Sequence, residues 1–212
     1  DFRKSSQNVS TTPLERIVTD TAGPITHMSN ANKRCSQPYV DQATTCVWPF
    51  YLTHKSDAAE SVKEFWYQAH SLAKPEYKVR MMRTDRAPEF MHGRFSEFLQ
   101  SKNVRQEHAV RDCSAQNGLS EMLHGVGFSA ARVYQSQCGA PKMLWTFALN
   151  HAHDMQVRGR EGKVHYAMLT GKKADLRQVR IFGCLAHSHD LERAKGEKTN
   201  PTAEHGVYLG RS

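Results

Sequence analysis

A short apolar run of this chain closes on Asp20, and a strand-like alternation ends at Asp85. A third acid, Glu121, follows Asp85 with 35 residues between them, within a run of helical periodicity. Three carboxylates delivered by three separate elements can hold two divalent ions, and such a pair can drive in-line attack at phosphorus. Two acids at such a spacing occur in many chains, so the residues around each acid must carry the argument.

Leu14, Ile17 and Val18 lead up to Asp20, and Ala22-Gly23-Pro24 break the element behind it, which predicts a strand ending at Asp20. Residues 26–37 are polar and read as a loop. Tyr39-Val40-Asp41 and Cys46 to Leu52 are rich in aromatic and β-branched residues and suit two strands. Pro49 cannot donate to a ladder and places its strand at an edge or an irregularity. Ser56 suits an N-cap, and Ala58, Val62, Phe65, Trp66, Ala69 and Leu72 recur at helical spacing until Pro75. Tyr77, Val79 and Met81 alternate towards Thr84 and Asp85 as a fourth strand. Phe95, Phe98 and Leu99 mark a short helix, and Val104 to Val110 a fifth strand.

From Ser114 onward, Leu119, Met122, Leu123, Val126, Ala130 and Val133 read as the core stripe of a long helix. Glu121 then lies on the opposite face with Asn117, His124, Arg132 and Gln135, turned towards metal or substrate. Gly118, Gly125 and Gly127 each cost a helix interior about 1 kcal/mol. A further helix is expected from Lys142 to Met155. Beyond Arg158 the chain turns to Gly- and Lys-containing turns between short apolar segments, with Gly159 to Lys163 as a linker. The expected organisation is a flexible lead-in over 1–12, a core over 13–158 and a small C-terminal extension over 159–212.

Composition narrows the partners. The 212 residues carry 29 Lys+Arg against 21 Asp+Glu, a formal charge of +8, which suits either simple solubility or a polyanionic partner, nucleic acid first. Five scattered cysteines without a CxxC pair support neither a zinc site nor a disulfide framework. The His151/His153 and His187/His189 pairs have the wrong spacing to share a helix face. No apolar run approaches the roughly 20 residues that span a bilayer, so no membrane partner is expected. The chain opens at Asp1 rather than Met and reads as a piece of a longer polypeptide.

The resulting order, three strands, helix, strand, helix, strand, helix, predicts an α/β protein with a ribonuclease H-like mixed sheet flanked by helices. The residues also match a family. Thr19-Asp20-Thr21-Ala22-Gly23-Pro24, Arg83-Thr84-Asp85 with Glu89-Phe90, and Gln116-Asn117-Gly118-Leu119-Ser120-Glu121 resemble the three acidic motifs of a copia-type LTR retrotransposon integrase catalytic core. Tyr39-Val40-Asp41 and Trp48 to Ser56 resemble its central strands and entry to the first helix. Leu169 to Leu176, Arg180 to Ala186 and Val207 to Gly210 resemble its C-terminal extension, in order.

Departures accompany the likeness. Arg86-Ala87-Pro88 stand where the family usually has Asn-Gly-Gly, and Pro88 restrains Ala87 towards extended geometry. Met122, Leu123 and His124 replace an Arg, a further basic residue and Asn, removing two phosphate-contacting charges. Arg111 to Ala115 replace a Tyr-Thr-Pro-Gln type of helix entry. Such scattered changes are what a copy drifting without selection accumulates.

The resemblance implies a DDE-type polynucleotidyl transferase performing metal-dependent 3′-end processing and strand transfer. Asp20, Asp85 and Glu121 would be both catalytic and metal-binding, holding two Mg²⁺ (or Mn²⁺) ions, with Asn117 and His124 as substrate contacts. The implied partners are double-stranded DNA, as element ends and as target, and further copies of the chain on that DNA. Action in the nucleus after a cytoplasmic particle stage is implied as well. Two alternatives stay open: an inactive relic that keeps the fold and nonspecific nucleic-acid binding, and another ribonuclease H-like nuclease acting on RNA–DNA hybrids.

Overall fold

The computed structural model describes residues 9–91, 93–108, 114–156, 164–177, 179–189 and 203–211. Its centre is a five-stranded mixed sheet of order β3-β2-β1-β4-β5. β1 (Arg16–Thr19), β2 (Cys35–Asp41) and β3 (Val47–Leu52) form an antiparallel meander. β4 (Met81–Thr84) and β5 (Arg105–His108) extend it in parallel on the other side of β1.

β3 is the edge strand that Pro49 foretells, and Pro38 faces Pro49 across the ladder. Ser36 exchanges backbone hydrogen bonds with Ala22, and Gln42 donates to Arg16, so Pro38 turns its missing N–H towards β1, just past the last paired residue Thr19, and Pro49 turns its own to the open edge. β2 starts at Cys35, inside the expected loop of 26–37, because its polar residues satisfy one another. Gln37 donates to the Tyr39 hydroxyl at 2.8 Å, Tyr39 meets Ser61 at 2.8 Å, and Ser61 donates back to Gln37 at 3.1 Å. β4 begins four residues later than the alternation from Tyr77 suggests.

Alternation along β3 divides the core. Trp48, Phe50 and Leu52 turn to one side, against α1 (Ala58–Leu72) and α3 (Arg94–Ser101), together with Phe65, Phe95 and Leu99. Tyr39 stacks on Phe65 at 4.4 Å, and full burial of one such ring contributes about 1.5–3 kcal/mol. Tyr51 turns to the other side and meets Trp145 edge-on at 5.2 Å, where α4 (Ser114–Cys138) and α5 (Trp145–Met155) lie. Ser56 is not an N-cap. A 3₁₀ turn over Lys55–Asp57 precedes α1, and the Asp57 carboxylate takes the His54 N–H at 2.9 Å.

Two helices escape the periodicity: α2 (Pro88–Met91), directly behind Asp85, and α6 (His165–Thr170). α6 seats the fully buried Leu169 in the core under α1, and Phe182 joins the cluster between α4 and α5. β6 (Leu185–His189) and β7 (Ala203–Val207) form a separate antiparallel hairpin. Most of the lead-in and the linker Gly159 to Lys163 lie outside the described residues. Among the described residues no helix is long and apolar enough to cross a membrane.

Candidate active site

The sheet register fixes the first two acids. Arg16 pairs with Met81, Ile17 with Met82 and Val18 with Arg83 in parallel. The same register carried on by two residues sets Asp20 beside Asp85, on strands that run about 4.8 Å apart. Both acids therefore leave the carboxyl ends of neighbouring central strands, at the point where the sheet changes from antiparallel to parallel. Open α/β sheets bind ligands in such crevices. A charged cross-strand cluster ties this part of the sheet together: Glu107 on β5 meets Arg83 at 3.1 Å and Arg16 at 3.4 Å.

Each aspartate has one oxygen held by the backbone. Asp20 Oδ1 accepts the Thr21 N–H at 2.8 Å, and Asp85 Oδ1 accepts the Ala87 N–H at 3.0 Å. The other oxygen of each takes no hydrogen bond among the described residues. Burial pushes the Asp20 carboxyl above the usual range, and the charge of Asp85, then that of Glu121, push it further. Lys55, at the entry to α1, partly offsets them. Its ammonium is a site feature that sequence reasoning quoted within a motif without giving it a role.

Glu121 projects from α4 into solvent as the periodicity foretells, and its charge is felt at Asp20. The structure thus joins Asp20 to Asp85 through the sheet and brings Glu121 within electrostatic range. Among the described residues no three carboxylate, imidazole or thiol groups stand close enough to form a ready-made metal cage.

The substrate contact expected of His124 is not available. The residue is buried, its ring meets Phe128 at 6.0 Å, and it faces His153 of α5. The reason is that α4 is rotated relative to the aliphatic stripe. Ser120, Leu123, His124, Gly127 and Ala131 form its inner face, whereas Met122, Val126 and Val133 are about half exposed. Asn117 belongs to α4, but its side chain lies outside the described residues.

Asp41, a fourth acid that the motif reading placed beside Tyr39 and Val40, has a structural task. Its buried carboxylate accepts the Leu14 N–H at 3.0 Å, the Thr44 N–H at 3.0 Å and the Thr44 hydroxyl at 2.6 Å. It staples the approach to β1 onto the β2–β3 turn. Three donors leave it no room for a ligand.

The donor set at Asp20 and Asp85 fits a hard divalent cation. Both ligands are carboxylates, each keeps a second oxygen, and Asp20 carries the like-charge strain that a cation relieves.

No family model matches the chain. Over 182 residues, or 83% of its length, it is 22% identical to a Pol polyprotein from the transposon TNT 1-94 of Nicotiana tabacum, and it spans 13% of that polyprotein. The fold matches the HTLV-2 integrase catalytic core domain, solved with magnesium in a dimeric form, with a TM-score of 0.56 and 21% identity. That match covers 74% of this chain and 97% of the viral domain. A simian T-cell lymphotropic virus intasome, in complex with the B56 gamma regulatory subunit of PP2A, matches with a TM-score of 0.63 and 14% identity. It covers 96% of this chain and 70% of that one. The mixed α/β architecture is therefore that of integrase catalytic cores.

Proposed function

We propose that this chain, integrase-core in fold and similar in sequence to a copia-type Pol segment, is the catalytic core of a retrotransposon integrase. It acts on double-stranded DNA, trimming the 3′ ends of the element and joining them to target DNA in the nucleus. The observation that carries the reading is the shared register of Asp20 and Asp85 at adjacent strand ends, with Glu121 exposed on the helix beside them.

Asp20, Asp85 and Glu121 would hold divalent ions of the Mg²⁺ type. Such ions, when bound, activate an attacking water or 3′-OH and stabilise the leaving oxygen. The chain's own part is positional. The central strands set the two aspartates side by side, and the Thr21 and Ala87 N–H groups orient their carboxylates. Glu121, exposed on α4 with its charge felt at Asp20, would complete the set. Lys55 contributes positive charge beside Asp20, suited to a phosphate. Joining two element ends requires more than one copy of the core on DNA.

A second reading, an inactive relic that binds DNA without processing it, draws on the neighbours of the acids. Met122 and Leu123 stand where the family carries two phosphate-contacting charges, and Leu123 is turned into the protein interior. The test is incubation with a labelled duplex matching the element end, in Mg²⁺ and in EDTA. Metal-dependent trimming or joining that disappears in Glu121→Gln supports the enzyme. Binding without any product supports the relic.

A further inference from the structure

A groove of about 800 Å³ lies along the C-terminal half of α4. One wall is the helix edge of Phe128, Arg132, Gln135 and Ser136. The other is the Ile25–His27 segment, which follows Asp20 in the chain. Lys142 and Trp145 close the end.

Three observations single it out. Its lining carries Arg132, Lys142 and His27 and no carboxylate. Among the described residues no acid pairs with Arg132 or Lys142, and Arg132 makes only a 3.0 Å hydrogen bond to Ser129. Trp145 is 6% exposed, yet its buried indole N–H finds no acceptor among the described residues, an omission that costs about as much as a lost hydrogen bond. The groove is also braced. Asn30 donates to the Met143 carbonyl at 3.1 Å, tying the loop after β1 to the start of α5, and the Gln135 amide donates to Pro141 at 2.9 Å.

Its position relative to the acids is set by helix geometry. Arg132 follows Glu121 by 11 residues, three turns, so the two share a face within about 20° and stand about 16 Å apart along the axis. That rise corresponds to about five phosphates of one strand of a duplex.

We infer that this groove is a backbone-binding subsite for duplex DNA, in which Arg132 and Lys142 contact phosphates about five base pairs from the phosphorus that reacts at Asp20 and Asp85. The choice of DNA among polyanions rests on the function proposed above. The charge pattern and the acceptor-less Trp145 do not. The subsite also supplies positive charge that the turn after Glu121 lacks, where Met122 and Leu123 stand.

The test is the salt dependence of binding to a fluorescein-labelled 20-base-pair duplex, followed by anisotropy with the full chain in EDTA. Arg132→Ala/Lys142→Ala should weaken binding about tenfold at low salt and flatten the log–log slope by about 1.8, two phosphates' worth. Both side chains are exposed, so folding is not at stake. Lys78→Ala/Arg80→Ala, which removes the same charge from an exposed segment ahead of β4, serves as the control. An unchanged slope in the groove variant, or an equal loss in the control, overturns the proposal. The two readings fail separately. A parent chain that binds the duplex and never processes it, with the slope reduced in the groove variant, removes the enzyme and keeps the subsite. A chain that processes DNA with the slope unaltered does the reverse.

Discussion

Gly127 of α4 and His153 of α5 stand so close that a methyl group built on Gly127 would lie 2.8 Å from the imidazole Cε1 and 2.9 Å from Leu149 Cδ1. The glycine marks the contact between the helix that carries Glu121 and the helix behind it. Gly127→Ala is expected to destabilise the fold by about 1–3 kcal/mol through overpacking, against a gain of about 1 kcal/mol in helix propensity. Gly125→Ala, where nothing lies within 4 Å, should gain about 0.5–1 kcal/mol. Urea unfolding of the two variants separates them, and a Gly127→Ala protein as stable as Gly125→Ala would mean the helices do not meet there.

The same contact confers pH dependence. Burial lowers His124 to about 4, with His153 adding to the effect, and burial lowers His153 to about 4, with the nearby Gln156 side chain opposing the shift. Both folded values lie below the ordinary 6.5, so the unfolded chain takes up protons first. The contribution is complete above pH 6.5 and is lost as the pH falls towards 4, by about 3 kcal/mol for each ring. Unfolding free energies measured from pH 7.5 to 4.5 should fall steeply for the parent and less steeply for His153→Leu. Parallel curves would show that this imidazole is not held neutral.

These residues also mark what the sequence conceals. Asp20 is legible as a strand end because an apolar run stops at it, Asp85 because an alternating one does, and Glu121 as outward-facing because it lies opposite the aliphatic stripe. The inner face of α4 was not legible, since close helix packing favours Gly127, Ala131 and a neutral imidazole over larger aliphatics, and the larger Met122, Val126 and Val133 draw the apparent stripe to another face. β2 was hidden in the same way. Ser36, Gln37 and Pro38 look like loop until Ser61, 24 residues beyond Gln37, arrives to satisfy the buried amide. The Asp20–Asp85 register depends on strand pairing across 64 intervening residues, which no local pattern encodes.

Rotation of α4 separates two adjacent positions that a motif treats alike. Met122 is 53% exposed and Leu123 only 6%. Met122→Arg should leave stability within about 0.5 kcal/mol and tighten duplex binding, because it restores a cation one residue from Glu121. Leu123→Arg buries an unpaired charge and should destabilise by about 3–5 kcal/mol. Thermal melts together with duplex affinity check both. A strongly destabilised Met122→Arg protein would place the α4 face elsewhere.

Asp20 provides the most direct readout of the acidic site without turnover. Burial raises its carboxyl first, then Asp85, then Glu121. A folded value above the unfolded 3.8 means the native state holds the proton longer, so stability falls as the pH rises from 3.8 through the folded value. At pH 7 the ionised group is therefore a net cost, and Asp20→Asn should raise the Tm there while giving no gain at pH 3. A cation that relieves the repulsion acts in the same direction. Mg²⁺ at ten times its Kd should add about 1.4 kcal/mol to the parent, or roughly 3–5 °C for a domain of this size. The same addition should shift Asp20→Asn/Asp85→Asn by much less. Differential scanning with Mg²⁺ and with EDTA reads both effects, and an equal Mg²⁺ shift in the parent and the double variant would mean that the ion binds elsewhere.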